Sequence, residues 1–242
     1  MNFKTISQID PGNPESWRDS VFITIDIDWC HDDVLVYAID LLEQADVAAT
    51  WFVTNETPLL QRLRANPKFE LGIHPNFNRL LAGLAEPPET ASSVIDSILQ
   101  IVPEAKAVRS HSMTQNSQLL NLFKERGLRF DCNHFIPHQA NYQLTPFRIW
   151  NGLIKIPYFW EDDLHCIDKI DFNPSQWLKC DSLNVFDFHP IHLFLNTHDL
   201  ELYEATRDLH YQPALLKSRA NTQQEGTREW LLTLIHQHIP QP

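Results

Sequence analysis

Short apolar runs alternate with amphipathic stretches along most of the chain. Seven runs rich in β-branched and aromatic residues predict strands, at 21–27, 48–54, 69–74, 106–110, 128–132, 153–157 and 184–188. Strands that alternate with helices indicate a parallel sheet covered by helices. The pattern therefore predicts an α/β fold, a distorted (β/α) barrel of about seven parallel strands, with an open doubly wound sheet as the alternative.

The stretches between these strands carry the periodicity of helices. Helices are predicted at 34–42, 59–64, 92–101, 117–126 and 228–238. Asp32 and Asp33 stand where they could cap the first helix, and Gly127 stands where it could end the fourth. Residues 135–150 show no clear period and predict a loop, and the polar stretch 211–226 predicts a mobile segment.

Length and composition are those of a globular protein. The chain has 242 residues, of which 43% are hydrophobic and 21% charged. This length predicts a single domain over residues 1–242. There are 19 lysines and arginines against 31 aspartates and glutamates, a net charge of -12. Such a balance opposes binding to nucleic acid, which needs a basic surface, and to anionic membranes.

Cysteine usage and hydropathy indicate a cytoplasmic protein. The four cysteines, at positions 30, 132, 166 and 180, form no CxxC pair and predict free thiols in a reducing compartment. No run approaches the roughly 18 apolar residues of a membrane span, so none is expected. The first residues contain no apolar core of a signal peptide. The chain also contains no GxGxxG or Walker motif, which removes the commonest nucleotide-binding interpretations.

Residues that can bind metals or transfer protons follow most of the predicted strands. They are Asp26, Asp28, His74, Arg109, Asp162 and His189. In a β/α barrel, functional side chains gather at the carboxyl ends of the strands. We therefore expect these six side chains to share one end of the barrel.

Two of the predicted strands suggest a metal site. Asp26 and Asp28 are two positions apart, so on a regular strand they face the same side. Two such carboxylates repel each other unless a cation or proton intervenes, so one could bind a metal while the other acts as a base. His74 and Asn78 are four apart and would share one side of a helical turn. Imidazole suits zinc and its neighbours, whereas an amide oxygen is a weaker ligand.

The remaining polar residues suggest acid–base chemistry. His189 precedes a proline and is a candidate proton donor. Arg109 is a candidate for orienting a carboxylate, with Asp162 or Asp163 as its partners. Three aromatic residues near the strand ends could stack on a ligand or belong to the core: Trp29, Phe77 and Trp160.

These motifs, in this order, resemble the polysaccharide deacetylase family, the NodB-homology group of carbohydrate esterases. The resemblance covers residues 21–195 and begins with ITIDIDW, which is similar to the Asp-rich first motif of the family. His74 to Asn78 stands at the H-x-x-x-H motif, Arg109 at the arginine motif and His189 at the late histidine motif. In detail the chain is most similar to the sugar deacetylases linked to O-antigen clusters.

The resemblance implies a role for each residue. Asp26 would be the general base, Asp28, His74 and Asn78 would hold the metal, and His189 would be the general acid. Arg109 would steer Asp26 with help from Asp162 or Asp163. The implied cofactor is a divalent cation, zinc or alternatively cobalt, manganese or nickel, and the implied reaction is hydrolysis of an N-acetylated sugar with release of acetate.

The chain departs from the family pattern at three motifs. Asn78 replaces the second histidine, which leaves His31 and His111 as alternative ligands. The third motif reads RSHS instead of Arg-x-Pro-aromatic, and no DxxDW sequence follows it. Two other functions therefore stay open, an amidohydrolase acting on a non-sugar amide and a sugar-binding pseudoenzyme without catalytic activity.

Overall fold

The computed structural model of the protein describes residues 2–87 and 89–237. Ten strands form one sheet: β1 Asn2–Phe3, β2 Ser20–Asp26, β3 Ala49–Val53, β4 Phe69–Ile73, β5 Ala107–Val108, β6 Phe130–Asp131, β7 Phe147–Arg148, β8 Ile154–Lys155, β9 Trp160–Glu161 and β10 Asn184–Phe188. Their order is β7-β8-β6-β5-β4-β3-β2-β10-β9, and β1 pairs with the start of β2. All pairs are parallel except β7 with β8.

The helices lie between the strands and after them. They are α1 Asp32–Gln44, α2 Leu60–Ala65, α3 Asn78–Leu81, α4 Ala91–Ile101, α5 Ser117–Glu125, α6 Asp162–Asp168, α7 Pro174–Trp177, α8 Pro190–Leu195, α9 Leu200–Ala205, α10 Pro213–Lys217 and α11 Thr227–His236.

The sheet curls into a half-barrel. Within residues 2–87 and 89–237, no strand pairing joins the outer strands β7 and β9, and a single bridge links Phe135 with Tyr158. The predicted α/β class and parallel β/α architecture are confirmed. The curled sheet agrees with the predicted distorted barrel and not with the alternative, an open doubly wound sheet. The barrel is distorted because one edge strand is antiparallel and the other edge stays open.

The central strands are buried on both faces. Every residue of β2, β3 and β10 is buried, as in parallel sheets covered by helices. Gly72 of β4 shows how tight this packing is. A Cβ there would lie 2.8 Å from the ring of Phe52 and 2.9 Å from the carbonyl oxygen of Ala107. Only glycine fits at this point, where three strands lie close together near the end of the sheet that carries the polar residues.

The long strands and helices agree with those predicted from the sequence, whereas the short elements and the helix caps differ. His31, and neither Asp32 nor Asp33, caps α1, because its Nδ1 accepts from the Asp33 backbone N–H at 3.1 Å. The segment predicted as mobile contains α10, whose Leu216 is fully buried. The predicted end of the last helix at residue 238 lies outside the described residues. In the part of the chain described, no helix combines the length and apolar character needed to cross a bilayer.

One histidine in the aromatic core generates a prediction about pH. His165 is 3% exposed, packs on Trp160, Phe172, Trp177 and Trp230, and has no hydrogen bond at either ring nitrogen. Burial lowers its pKa to about 4, below its ordinary value of 6.5. Between these values the unfolded chain binds a proton that the folded chain does not, so stability falls as the pH falls.

We predict that His165→Leu removes part of this pH dependence. Wild type should lose about 2–3 kcal/mol more unfolding free energy than the variant between pH 7 and pH 4.5. Urea denaturation across this range measures the difference. His236→Leu is the control, because His236 is exposed and should leave the wild-type slope unchanged. Equal slopes for wild type and His165→Leu would contradict the prediction.

Candidate active site

Polar side chains at the carboxyl ends of four strands meet along one edge of the half-barrel, which we call the rim. Asp26 ends β2, His74 follows β4, Arg109 follows β5 and His189 follows β10. In the sheet these four strands are neighbours, except that β3 lies between β2 and β4. Parallel strands end at the same edge of a sheet, so the fold brings together residues that are far apart in the sequence.

Three nitrogen and oxygen atoms at this rim form a small triangle. Asp28 Oδ1 lies 3.1 Å from His74 Nε2 and 3.4 Å from His111 Nδ1, and the two nitrogens are 3.3 Å apart. Ligands about 2.0–2.1 Å from a tetrahedral zinc ion are separated by about 3.3–3.4 Å. Asp28 Oδ1 is also buried without a well-formed hydrogen bond. These residues therefore fit a divalent cation in the spacing of their atoms and in donor type. A cation would also bind the carboxylate oxygen that lacks a well-formed hydrogen bond.

The backbone at Asp28 is held in an unusual conformation. Asp28 has φ 47° and Trp29 φ 53°, in the left-handed region that residues other than glycine seldom adopt. The Trp29 N–H donates to Thr54 Oγ1 at 3.1 Å, which fixes the turn. Burial opposes the charge of Asp28, but contacts with His111 and His74 outweigh burial and hold the pKa of its carboxyl well below the usual range. Asp28 is therefore an anion at neutral pH.

The other two residues considered as ligands have different surroundings. Asn78 is exposed at the start of α3, and its amide donates to Ser112 Oγ at 3.1 Å. His31 caps α1. The sequence offered His111 only as an alternative, yet its nitrogen is the one that completes the triangle with Asp28 and His74.

Arg109 lies at the centre of the buried polar network and is 1% exposed. Its Nη1 donates to Thr24 Oγ1 at 2.9 Å, to Asp26 Oδ1 at 3.0 Å and to Asp187 Oδ1. The charges of Asp187 and Asp26 overcome burial and raise the pKa of Arg109 well above its usual value. The partners expected from the sequence, Asp162 or Asp163, are wrong for this contact.

Asp187 is the functional candidate that the sequence interpretation missed. It lies opposite Thr24 in the β2–β10 register and accepts from the Thr24 hydroxyl at 2.6 Å. Burial raises its pKa to about 7 even though Arg109 opposes this shift. A signal was present, because Asp187 and His189 are spaced two apart at a strand end, as Asp26 and Asp28 are.

Asp162 contacts His189 instead of Arg109. Its two oxygens accept from the His189 backbone N–H at 2.8 Å and from His189 Nδ1 at 2.7 Å. Burial would lower the pKa of His189, but the charge of Asp162 outweighs it and the pKa is raised well above the usual value. The free Nε2 of His189 lies 3.7 Å from Asp28 Oδ2. The geometry thus presents a protonated imidazole to the Asp28 side of the rim.

An open cleft of about 480 Å³ lies above these groups. Asp28, His111 and His189 line its floor, and Trp29, Tyr203 and Tyr211 line its sides. The ring of Tyr203 packs between His192 and His210, with centroid distances of 4.9 and 4.7 Å. Of the three aromatic residues singled out in the sequence, only Trp29 lines the cleft, since Phe77 and Trp160 are each 2% exposed.

Comparison with known proteins identifies the class. The family model of WbmS-like polysaccharide deacetylases matches residues 23–207. The match covers most of the chain, and the rim residues described above lie within it. The protein belongs to the WbmS-like polysaccharide deacetylase family.

A solved structure of high identity agrees with this class. A crystal structure from Bordetella bronchiseptica, described as a candidate polysaccharide deacetylase involved in O-antigen biosynthesis, has 46% identity, a TM-score of 0.92 and 97% coverage of both chains. A family 4 carbohydrate esterase from Bacillus anthracis has 16% identity and a TM-score of 0.43, covering 86% of this chain and 80% of that one. A CE4 family pseudoenzyme from Bacillus anthracis has 11% identity and a TM-score of 0.42, covering 85% and 63%. The search of curated proteins gave no match.

The buried position of Arg109 generates a prediction about stability. Arg109→Met leaves two buried carboxylates without their cation and should cost about 3–5 kcal/mol. Arg62 is a matched control, because it also contacts two carboxylates, Asp40 and Glu43, each at 2.6 Å, but its side chain is 36% exposed. Arg62→Met should cost less than about 1 kcal/mol. Urea denaturation measures both, and equal losses would contradict the prediction.

Proposed function

We propose that this protein is a metal-dependent hydrolase that removes the N-acetyl group of a sugar and releases acetate. The observation that carries the proposal is the triangle of Asp28, His74 and His111, of which Asp28 and His111 line an open cleft together with His189. Membership of the polysaccharide deacetylase family supports the reaction class.

The donor set favours zinc. Two imidazoles and one carboxylate, with room for a water molecule, are typical of catalytic zinc sites. We assign the third ligand to His111 in place of Asn78. When bound, the metal would polarise the acetyl carbonyl and lower the pKa of water.

Asp26 is the proposed base. Arg109 and the strand position hold its carboxylate, and Asp26, Asp187 and His189 each present an atom within 4.8 Å of the others. Arg109 donates to Oδ1 of Asp26, whereas His74 Nδ1 lies 3.4 Å from Oδ2 without forming a hydrogen bond, so Oδ2 is the oxygen that we assign to accept a proton from water. Asp187 is bonded to the same guanidinium, so its role in our proposal is to share and orient Arg109.

His189 is the proposed acid. An amide nitrogen leaves poorly unless it is protonated. Asp162 occupies Nδ1 of His189 and favours the protonated ring, which leaves the proton on Nε2 for the departing amine. The products are then acetate and an amino sugar.

The cleft supports a sugar substrate. Aromatic rings with polar edges, such as Tyr211 and Trp29, offer flat apolar faces beside hydrogen-bonding groups. The description of the Bordetella bronchiseptica relative extends the proposal to a sugar of O-antigen biosynthesis.

The first test compares two possible ligands. His111→Ala should lower zinc affinity by at least about 100-fold, since it removes one of three protein ligands. Asn78→Ala should leave affinity within a few-fold of wild type. Titration of metal-free protein against a chelating zinc indicator measures both. If Asn78→Ala loses zinc and His111→Ala keeps it, our ligand assignment is wrong.

The second test separates the two buried carboxylates. Asp26→Asn should keep zinc but lower kcat for acetate release by about 10²–10⁴-fold, because it removes the base. Asp187→Asn should reduce kcat less, because it affects the base only through Arg109. Acetate release from N-acetylated oligosaccharides, with ammonia assayed in parallel, supplies the measurement. Full activity of Asp26→Asn excludes it as the base, and wild-type protein that binds zinc and sugar without releasing acetate would be a pseudoenzyme.

A further inference from the structure

Four polar residues beneath the rim form a ring of polar contacts and hold the loop that carries His111. The ring, which we call the clamp, consists of Asp131, Lys155, Gln115 and Asn133. We propose that the clamp sets the position of His111 for metal binding and that Gln115 is its link to the loop. This inference rests on the proposed function, because it concerns the proposed third ligand.

The contacts of the clamp form a closed circuit. Lys155 Nζ lies 3.0 Å from Asp131 Oδ1 and donates to Gln115 Oε1 at 2.6 Å. Gln115 Nε2 donates to the carbonyl oxygen of Asn133 at 3.0 Å. The backbone N–H of Asn133 donates to Asp131 Oδ1 at 3.0 Å, which closes the circuit.

The clamp holds the His111 loop at both ends. At the first end, the Ser110 N–H donates to Asn133 Oδ1 at 2.7 Å. At the other end stands Gln115, held by Asn133 and by Lys155. Four residues separate these two anchors, and His111 is one of them.

The backbone between the anchors needs this support. Ser112 and Met113 have φ values of 56° and 52°, in the left-handed region that disfavours residues other than glycine. Such conformations cost of order 1–3 kcal/mol each and persist only where the surroundings impose them. The hydrogen bonds that hold Ser110 and Gln115 contribute to that constraint, together with the His111 backbone N–H, which donates to the carbonyl oxygen of Pro75 at 3.0 Å.

The ring of His111 lacks the usual support from a side chain. A metal-binding histidine commonly donates its second N–H to a carboxylate or carbonyl, which fixes the ring. Within the described part of the chain, the polar contacts of the His111 ring are with His74 and Asp28 alone, and both involve Nδ1. The rings of Trp29 and His111 pack edge to face, with their centroids 5.1 Å apart. The remaining control over ring position must come from the backbone of the loop.

The burial of the clamp argues for a positioning role. Lys155 is 2% exposed and Asp131 is fully buried, and they face each other in the β6–β8 register. Buried ion pairs add little stability compared with apolar residues of similar size. What this pair provides is a fixed ammonium group that orients the Gln115 amide.

Gln115→Ala tests the proposal. Gln115 is half-buried, so its truncation keeps the Asp131–Lys155 pair and the fold while it releases one end of the loop. We expect zinc to bind about 10–100-fold more weakly, as found for residues that support metal ligands. The absorption spectrum of the cobalt-substituted variant should also change, because the spectrum reports ligand geometry directly.

Two further variants isolate the effect. Gln143→Ala is the matched control, since Gln143 Nε2 also donates to a backbone carbonyl, that of Asp181, at 2.8 Å in a different loop. It should leave zinc affinity and the cobalt spectrum unchanged. Gln115→Glu keeps the acceptor for Lys155 but places a carboxylate oxygen against the Asn133 carbonyl oxygen in place of the donor, so its zinc affinity should be no higher than that of Gln115→Ala.

The outcomes distinguish this inference from the function on which it rests. If wild-type protein binds no zinc or cobalt, the proposed function fails. If wild type binds metal and Gln115→Ala matches it in zinc affinity and cobalt spectrum, the clamp does not position His111 and the inference is overturned. A Gln115→Ala variant that only lowers the melting temperature, with unchanged metal affinity, also overturns it.

Discussion

The whole rim depends on one buried guanidinium. Arg109 binds two buried carboxyl groups, Asp26 and Asp187, and supplies positive charge to both in the interior. Its plane lies between the rings of Phe52 and Tyr158, with centroid distances of 4.7 and 4.4 Å, so it cannot turn away. Since the three charged residues come from the ends of β2, β5 and β10, this contact fixes how those strand ends are arranged. Asp26 is thereby aimed at the same space as the triangle of candidate ligands.

Charge balance explains why the rim suits a cation. Arg109 neutralises only part of the charge of Asp26 and Asp187, and Asp162 is matched by the protonated ring of His189. Asp28 remains an anion whose Oδ1 has no well-formed hydrogen bond. A divalent ion between Asp28 and the imidazoles of His74 and His111 would satisfy that oxygen. The same ion would offset the negative charge left in the network around Arg109.

The sequence pattern predicts the strands well because burial on both faces leaves uninterrupted apolar runs, as in β2. It also predicts that Asp26, Asp28, His74, Arg109 and His189 share one edge, because parallel strands place their carboxyl ends together. The choice of partners was harder to predict. It depends on strand register, which sets Asp187 opposite Thr24, and on loop conformation, which brings His111 rather than Asn78 to Asp28. The helices α9 and α10 escaped prediction because they have only six and five residues, too few to show a helical period.

The departure from the family motif changes what the site requires of the fold. In an H-x-x-x-H motif the two histidines lie four positions apart in one segment, and in this chain that segment, from His74 to Asn78, is a loop that ends where α3 begins. Here His74 and His111 follow different strands, β4 and β5, so their separation depends on two loops. One of those loops contains left-handed residues, and residues beneath the rim hold it at both ends. A ligand supplied by a second loop therefore needs support of its own, and the buried polar residues of the clamp lie where that support is needed.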